Sequence, residues 1–281
     1  MHGRSGHRYC DRAETNASDC SAQSTRSKPI AIVSRPNFSR FAETTLSNAD
    51  QVARTIGEQI LAGIYPAGEK LPSEAEMLAR FGVSRTVLRE AFKTLTAKGL
   101  IVSRTRVGTT VLDSAHWNFF DADILAWKVA QGFDAAFVRD LAAIRMAIEP
   151  AAAEAAAKHA TETDIALMRS CLGRMAQATG SASDFAGADL DFHKAIGHAS
   201  GNVLMRSLAA VIETALLASF RLSSPVQEAQ VHDESVRGHA RIVDAIEAGD
   251  RAAAGQAMRD IITHGFDRLE RATAKRARKP R

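Results

Sequence analysis

Aromatic side chains are scarce in this chain of 281 residues, at 6%, and alanine takes over from residue 141 onward. That poverty of rings beside that wealth of alanine leans towards helix. Cysteine is nearly absent. The three present, Cys10, Cys20 and Cys171, show no paired or metal-type spacing, which argues against a disulfide framework or a thiolate zinc site and fits a reduced, cytoplasmic protein. No apolar run reaches the roughly 18 residues that a membrane span needs, and the first 29 residues contain no apolar stretch of signal-peptide type. Catalytic signatures are missing too: there is no HExxH, no serine or cysteine nucleophile motif and no glycine-rich phosphate loop. A metal-dependent enzyme with an accessory nucleic-acid domain is therefore the weaker reading.

What is present is unevenly charged. The chain carries +4 overall. Residues 1–48 are basic, residues 116–270 are acidic, and the tail RATAKRARKPR holds six basic side chains and no acidic one. An acidic middle between basic pieces suggests two working parts, one of which meets a polyanion. Residues 1–48, rich in Ser, Arg, Asn and Thr, read as a disordered tail. The last residues, 273–281, read as a basic tail.

From Asp50 the texture changes. DQVARTIGEQIL places Val52, Ile56, Ile60 and Leu61 at helical spacing, and Gly63, Pro66 and Gly68 stop the helix. Ser73 with Glu76 forms a capping-box pattern ahead of a short helix that Gly82 ends. Ser84 caps the next helix, with Val87, Leu88, Ala91, Phe92 and Leu95 on one face, and Gly99 ends it. LIVS and TTVL then read as two strands around RTRVG. Helix, short helix, turn, helix and hairpin make a winged helix-turn-helix over 49–115. That arrangement puts the start of its second helix at base edges in a DNA major groove. The candidates for DNA contact are Ser84, Arg85, Thr86 and Arg89 on that helix, and Arg104, Arg106 and Gly108 in the wing.

Residues 116–272 read as a second, all-helical domain. HWNFFDADILAWKVA (116–130) reads as an amphipathic linker helix with Trp117 and Trp127 in the core. Six further helical stretches follow, at about 134–158, 162–178, 182–199, 202–222, 227–248 and 250–272. No strand alternation appears, so the fold class is mainly α: a winged domain with a small β-wing, then an antiparallel helical bundle.

Within 182–199, Asp189 and His193 stand four residues apart and share a helix face. A carboxylate oxygen and an imidazole nitrogen are ordinary ligands for zinc, nickel or manganese. Two ligands do not make a site, however, and the same spacing also fits an intrahelical hydrogen bond or a buried, satisfied histidine. Glu213 and Asp191 are conceivable bases without a motif behind them.

The segment LPSEAEMLARFGVSRTVLREAFKTLTAKGLI resembles the DNA-binding domain of GntR-type bacterial regulators, with Ala75 where many members carry arginine. Residues 117–270 resemble the FCD-type helical effector domain of one branch of that family, through D…FH, ASGN and H…I.DAI..GD. The resemblance implies that Asp189, His193 and His239 bind a divalent metal, zinc foremost. The family's fourth ligand aligns at Ile261, and His264 lies one turn further on. It also implies that Arg145 contacts an effector carboxylate, with a salt bridge to Glu149 as the plainer reading. Asn202 either binds effector or caps a helix. WNFFDADILAW and IRMAIEP are similar to sugar-acid-sensing members. On this reading the chain is a homodimeric repressor that binds palindromic double-stranded operator DNA and releases it when a sugar acid such as galactonate binds. Lactate or a dicarboxylate is the alternative signal.

Overall fold

The computed structural model describes residues 47–211 and 213–277. Of the tails read as disordered (1–48) and basic (273–281), residues 1–46 and 278–281 lie outside the described residues. Helix α1 spans Asn48–Leu61, capped by the Ser47 side chain on the Asp50 amide. Helix α2 spans Glu74–Phe81 and carries the expected capping box between Ser73 and Glu76. Gly82 closes it in the left-handed conformation, at φ 63°, where a side chain on an L-residue is disfavoured. Helix α3 spans Arg85–Ala97. Strands β1 (Ile101–Arg104) and β2 (Gly108–Val111) pair antiparallel, Ile101 opposite Val111 and Arg104 opposite Gly108. Val52, Ile56, Ile60, Met77, Leu88, Leu95, Leu100 and Ile101 fill one core beneath them. A winged helix-turn-helix is what these elements form.

The linker departs from expectation. Residues 116–130 are not one helix: Ser114–His116 makes a single 3-10 turn, and helix α4 spans only Ala122–Gln131. Asp121 is the reason, because its carboxylate accepts from the amides of Asp123 and Ile124 and so starts the helix late. Helix α4 is fastened to the winged half at several points. Lys98, at the end of α3, is buried and reaches Asp121 and Asp123, each at 2.7 Å. Its ammonium also stands 5.6 Å from the Trp127 ring centre. Trp127 packs against Gly57 of α1, where an added Cβ would come within 2.3 Å of the indole. Gln131 donates to the Glu58 carbonyl at 2.7 Å. These contacts tie the start of α4 to the end of α3 and its later turns to α1, while Leu125 on the same helix enters the core of the helical region with Leu141, Leu190, Leu216 and Phe220.

The helical region comprises α5 (Ala135–His159), α6 (Glu162–Gln177), α7 (Ala182–Ala199), α8 (Val203–Val211), α9 (Glu213–Leu222), α10 (Ala229–Glu247) and α11 (Arg251–Ala277). One difference from the sequence reading stands out: the last helix continues beyond 272 to Ala277. The stretch expected as one helix over 202–222 is described as α8 and α9, on either side of residue 212, which lies outside the described residues. Helix α7 sits centrally, packed on α5, α6, α8 and α9. Alanines at 152, 153, 156, 188, 195 and 254 let these helices approach closely around Phe185, Phe192, Met168, Met175, Ile242 and Met258. No helix among the described residues is long and apolar enough to cross a membrane.

Candidate functional site

Three side chains from two helices meet inside the helical region. Asp189 and His193 project from one face of α7, and His239 projects from α10; all three are buried. The Nε2 atoms of His193 and His239 both lie 3.2 Å from the same oxygen, Asp189 Oδ1. Among the described residues, these are the histidine, cysteine and carboxylate side chains whose ligand atoms cluster closely enough to hold one metal ion. The other ring nitrogens are turned outward. His239 Nδ1 lies 2.8 Å from the Ser235 carbonyl. His193 Nδ1 lies 2.8 Å from Glu149 Oε2.

That layout decides the chemistry. The Ser235 carbonyl can only accept, so His239 Nδ1 carries a proton and the neutral ring presents a lone pair at Nε2. A lone pair facing a carboxylate oxygen is repulsive unless a cation or a second proton lies between them. His193 has the same problem: it approaches Glu149 and Asp189 closely, yet neither contact has hydrogen-bond direction and both its nitrogens lack such a partner. Two imidazoles whose inner nitrogens converge on one carboxylate oxygen, one with its outer nitrogen hydrogen-bonded to the Ser235 carbonyl and the other with its outer nitrogen beside the Glu149 carboxylate, fit a divalent cation. The expectation that these three residues come together is met. His264 lies on the α10–α11 surface, outside the cluster. Ile261 is buried in the core, its Cδ1 filling the space that a side chain on Gly238 would take.

Glu149 links this cluster to Arg145. The carboxylate receives Arg145 Nε at 2.7 Å and Nη2 at 3.1 Å, a two-point fork. Arg145 also stacks on Phe220, 4.6 Å from the ring centre, and Phe220 lies 5.4 Å from the His193 ring. The helix salt bridge weighed for Arg145 is thus present, and a second role joins it: Arg145 holds the carboxylate that orients His193. Burial works to raise the Glu149 pKa, but the Arg145 and His193 charges outweigh it and hold the carboxyl at about 2. Burial likewise works to lower the His193 pKa, and Glu149 and Asp189 outweigh it, raising the imidazole to about 9. Asp189 is held well below the usual carboxylate range by His239 and His193 against the same burial.

In metal-free protein His193 is protonated near neutrality, and a cation must displace that proton. Its apparent affinity therefore falls about tenfold for each pH unit below about 9. Calorimetry of metal binding at pH 7.5, in buffers of different ionisation enthalpy, is expected to read about one proton released per ion; no release would contradict the assignment. Without metal the sign reverses. The raised pKa stabilises the fold fully below the ordinary 6.5, and that stability is lost as pH rises through about 9.

Asn202 acts as a cap: its Oδ1 accepts from the Leu204 and Met205 amides at 3.0 and 3.2 Å, opening α8. Sequence reasoning missed Phe220 and the Ser235 carbonyl altogether, and it gave Glu149 only its contact with Arg145. The Ser235 carbonyl sits four residues before His239, a spacing that could have suggested it. The contacts of Glu149 and Phe220 with His193 depend on how α5 and α9 pack on α7.

The winged half presents a separate surface. Ser84 Oγ accepts from the Val87 amide at 3.3 Å, which places Arg85 and Thr86 in the first turn of α3. Arg85 and Arg89 are solvent-exposed; their nearest carboxylates, Glu74 and Glu90, lie 3.7 and 3.9 Å away. Arg85, Thr86 and Arg89 line a groove with Lys93, Thr96, Ser103, Gly108 and Thr109, running between α3 and the wing. Lys93 was not singled out in the sequence. Arg104 ends β1, and Arg106 occupies the wing tip with a left-handed φ of 65°. Gly108, at φ 104°, begins the return strand. The exposed cations thus lie on the groove floor and at the wing, the layout that a double helix requires of a helix-turn-helix surface.

Comparison with known proteins gives two family matches. Residues 48–111 match the model for "Bacterial regulatory proteins, gntR family", and residues 140–264 match that for the "FCD domain". The chain is 32% identical over 229 residues to the galactonate operon transcriptional repressor of Escherichia coli (strain K12), covering 82% of this chain and all of that protein. It is 28% identical over 233 residues to the Uxu operon regulator of Haemophilus influenzae, covering 80% of this chain and 81% of that one. In fold it is similar to a solved structure of Lar, which controls expression of the Listeria monocytogenes agr system. That match has a TM-score of 0.54 at 19% identity, over 79% of this chain and 96% of the other.

Proposed function

The chain belongs to the gntR family of bacterial regulatory proteins and carries an FCD domain, and from that premise we propose that it represses genes of sugar-acid catabolism. It is a ligand-responsive transcriptional regulator, not an enzyme. A homodimer presents two α3 helices to a two-fold operator in the cytoplasm. Arg85, Thr86 and Arg89 read base edges, Ser84 fixes the start of that helix, and Arg104, Arg106 and the Gly108 turn meet the backbone or minor groove.

The observation that carries the effector side is the convergence of His193 Nε2 and His239 Nε2 on Asp189 Oδ1, with both Nδ1 atoms engaged elsewhere. A divalent cation on that face, zinc first and nickel or manganese after it, would offer open positions to the carboxylate and hydroxyl of a sugar acid. Glu149 keeps the His193 ring turned inward. Ser235 does the same for His239. Arg145 borders the small cleft over His193, with Ile144, Ile148, Lys194, Met205 and Leu216, and is the buried cation of that lining offered to the acid. Asn202 caps the helix whose Met205 and Leu208 form the cleft's far wall. The similarity to a galactonate operon repressor favours an aldonate such as galactonate over lactate or a dicarboxylate. Binding shifts the regulator only through unequal affinity for its DNA-bound and free arrangements.

Phe220 gives that shift a route. It touches His193 and Arg145 on one side and shares a core with Leu125 of α4 on the other. Helix α4 is in turn fastened to α3 through Lys98 and to α1 through Trp127. Calorimetric titration with C5 and C6 sugar acids, lactate and dicarboxylates, with and without chelator, tests the reading. One sugar acid binding tightly, only with metal and without turnover, is the expected result. Binding that survives verified metal removal would make the Asp189–His193–His239 cluster a direct hydrogen-bonding site instead.

A further inference from the structure

Of the basic side chains in the winged half, Lys98 alone is buried; every other lysine and arginine between residues 48 and 111 is exposed. Lys98 closes α3, and the carboxylates that receive it, those of Asp121 and Asp123, belong to the start of α4, beyond the winged fold. Burying such a charge pair adds little net stability, because the cost of taking charge out of water offsets the attraction. What the pair fixes is an arrangement, since the ammonium is satisfied only where both carboxylates reach it.

That arrangement is tightly drawn. Asp121 Oδ1 accepts from Lys98 and from the amides of Asp123 and Ile124, so one atom both starts α4 and holds the end of α3. Asp123 and Trp127 stand four residues apart on one face of α4, and Lys98 meets both. The backbone between the two helices has no slack. The Asn118 amide donates to the Lys98 carbonyl at 3.0 Å, and an added Cβ on Gly99 would fall 2.0 Å from the His116 carbonyl oxygen. Helix α4 itself belongs to two cores. Ile124 and Trp127 enter that of the winged half, while Leu125 and Val129 join that of the helical region. The direction of α3 is therefore set by a helix that the helical region also holds.

We propose that Lys98 is a positioning residue for operator geometry: by locking α3 to α4 through Asp121 and Asp123, it fixes the angle at which each recognition helix is carried, and thereby the half-site spacing that the dimer accepts. Lys98 is not part of the groove lined by Arg85, Thr86 and Arg89, so it acts through α3 and not by touching bases. One base pair inserted between half-sites moves one of them by about 3.4 Å and turns it by about 35°. A helix carried at a fixed angle rejects that change, and a loosely carried one follows it. The proposal rests on the reading of the chain as a dimeric operator-binding regulator and is independent of which acid the helical region senses.

The test uses the full chain and a fragment from upstream of its own gene, footprinted to locate the half-sites, together with versions lengthened or shortened between them by one base pair. Fluorescence anisotropy is expected to show the unaltered chain losing roughly tenfold in affinity for each altered fragment. Lys98→Met, which fills the space without the charge, is expected to cut that loss to about threefold or less, while affinity for an isolated half-site stays within about twofold. Asp121→Asn keeps the helix cap and removes the charge. It is expected to cut the loss at least twofold, and it carries the test if Lys98→Met folds poorly. An unaltered chain indifferent to spacing, variants that discriminate as sharply as it does, or variants that bind every fragment more weakly by the same factor would each overturn the proposal. Failure of the unaltered chain to bind any operator fragment would overturn the operator reading itself, and the proposal with it.

Discussion

Asp189→Asn is expected to lose bound metal and the response to effector together while DNA binding persists. The substitution keeps the shape of the side chain and removes its charge. Both imidazoles converge on the oxygen that carries that charge, so the change removes one of three ligands directly. Loss of an outer partner of a metal ligand typically costs 10–100-fold in affinity. Loss of a ligand itself should exceed about 100-fold on that scale. The variant also strands His193, whose raised proton affinity depends partly on Asp189, so the metal-free fold should be destabilised by roughly 3 kcal/mol. Because the winged half has its own core, operator affinity is the control for folding. In cells the variant behaves as a repressor that no inducer relieves. Metal content by elemental analysis, together with operator titration in the presence of sugar acid, reads both effects. A variant that keeps one metal per chain and still releases DNA would remove Asp189 from the site.

The second large effect belongs to α3. Arg85→Ala is expected to weaken operator binding by about 1–3 kcal/mol, roughly 5- to 150-fold, and to relax preference at one base position. Arg89→Ala should behave alike. Stability should hardly change, since the Arg85 side chain is 85% exposed and its ion pair with Glu74 is 3.7 Å long. Lys93→Ala provides the contrast. Its ammonium, on the same groove, is expected to neutralise a phosphate, so its loss should weaken all sequences equally and reduce the salt slope by about one. Fluorescence anisotropy against an operator and its single-base variants, at several salt concentrations, separates the two behaviours. Equal affinity of Arg85→Ala and the unaltered chain would move recognition off this helix.

The winged half was legible because its signals are local. The Ser73–Glu76 box, the Ser84 cap, the Gly82 and Gly99 stops and the alternation around RTRVG each act within a few residues, and all of them reappear in the structure. The Asp189–His193–His239 cluster was legible in part. Asp189 and His193 declare themselves by helical spacing, but nothing in the residues alone joined them to His239, fifty positions away; only the family resemblance did. What escaped was set by packing. Glu149 reaches His193 because α5 lies along α7. Phe220 bridges to α4 because α9 packs against both. The linker was misread for a local reason: its apolar pattern continues through 116–121, while Asp121 satisfies the amides of Asp123 and Ile124 and starts the helix at Ala122 rather than 116.

The measurement closest to the central claim is release of DNA. The protein is bound to a labelled fragment from upstream of its own gene, and galactonate and related sugar acids are added with metal present, after chelation, and after metal is restored. The account predicts that one acid dissociates the complex, that chelation abolishes the release without weakening DNA binding itself, and that restored metal recovers it. Release that proceeds equally well in chelated protein would contradict it, because the Asp189, His193 and His239 side chains would then have no metal to hold for the signal.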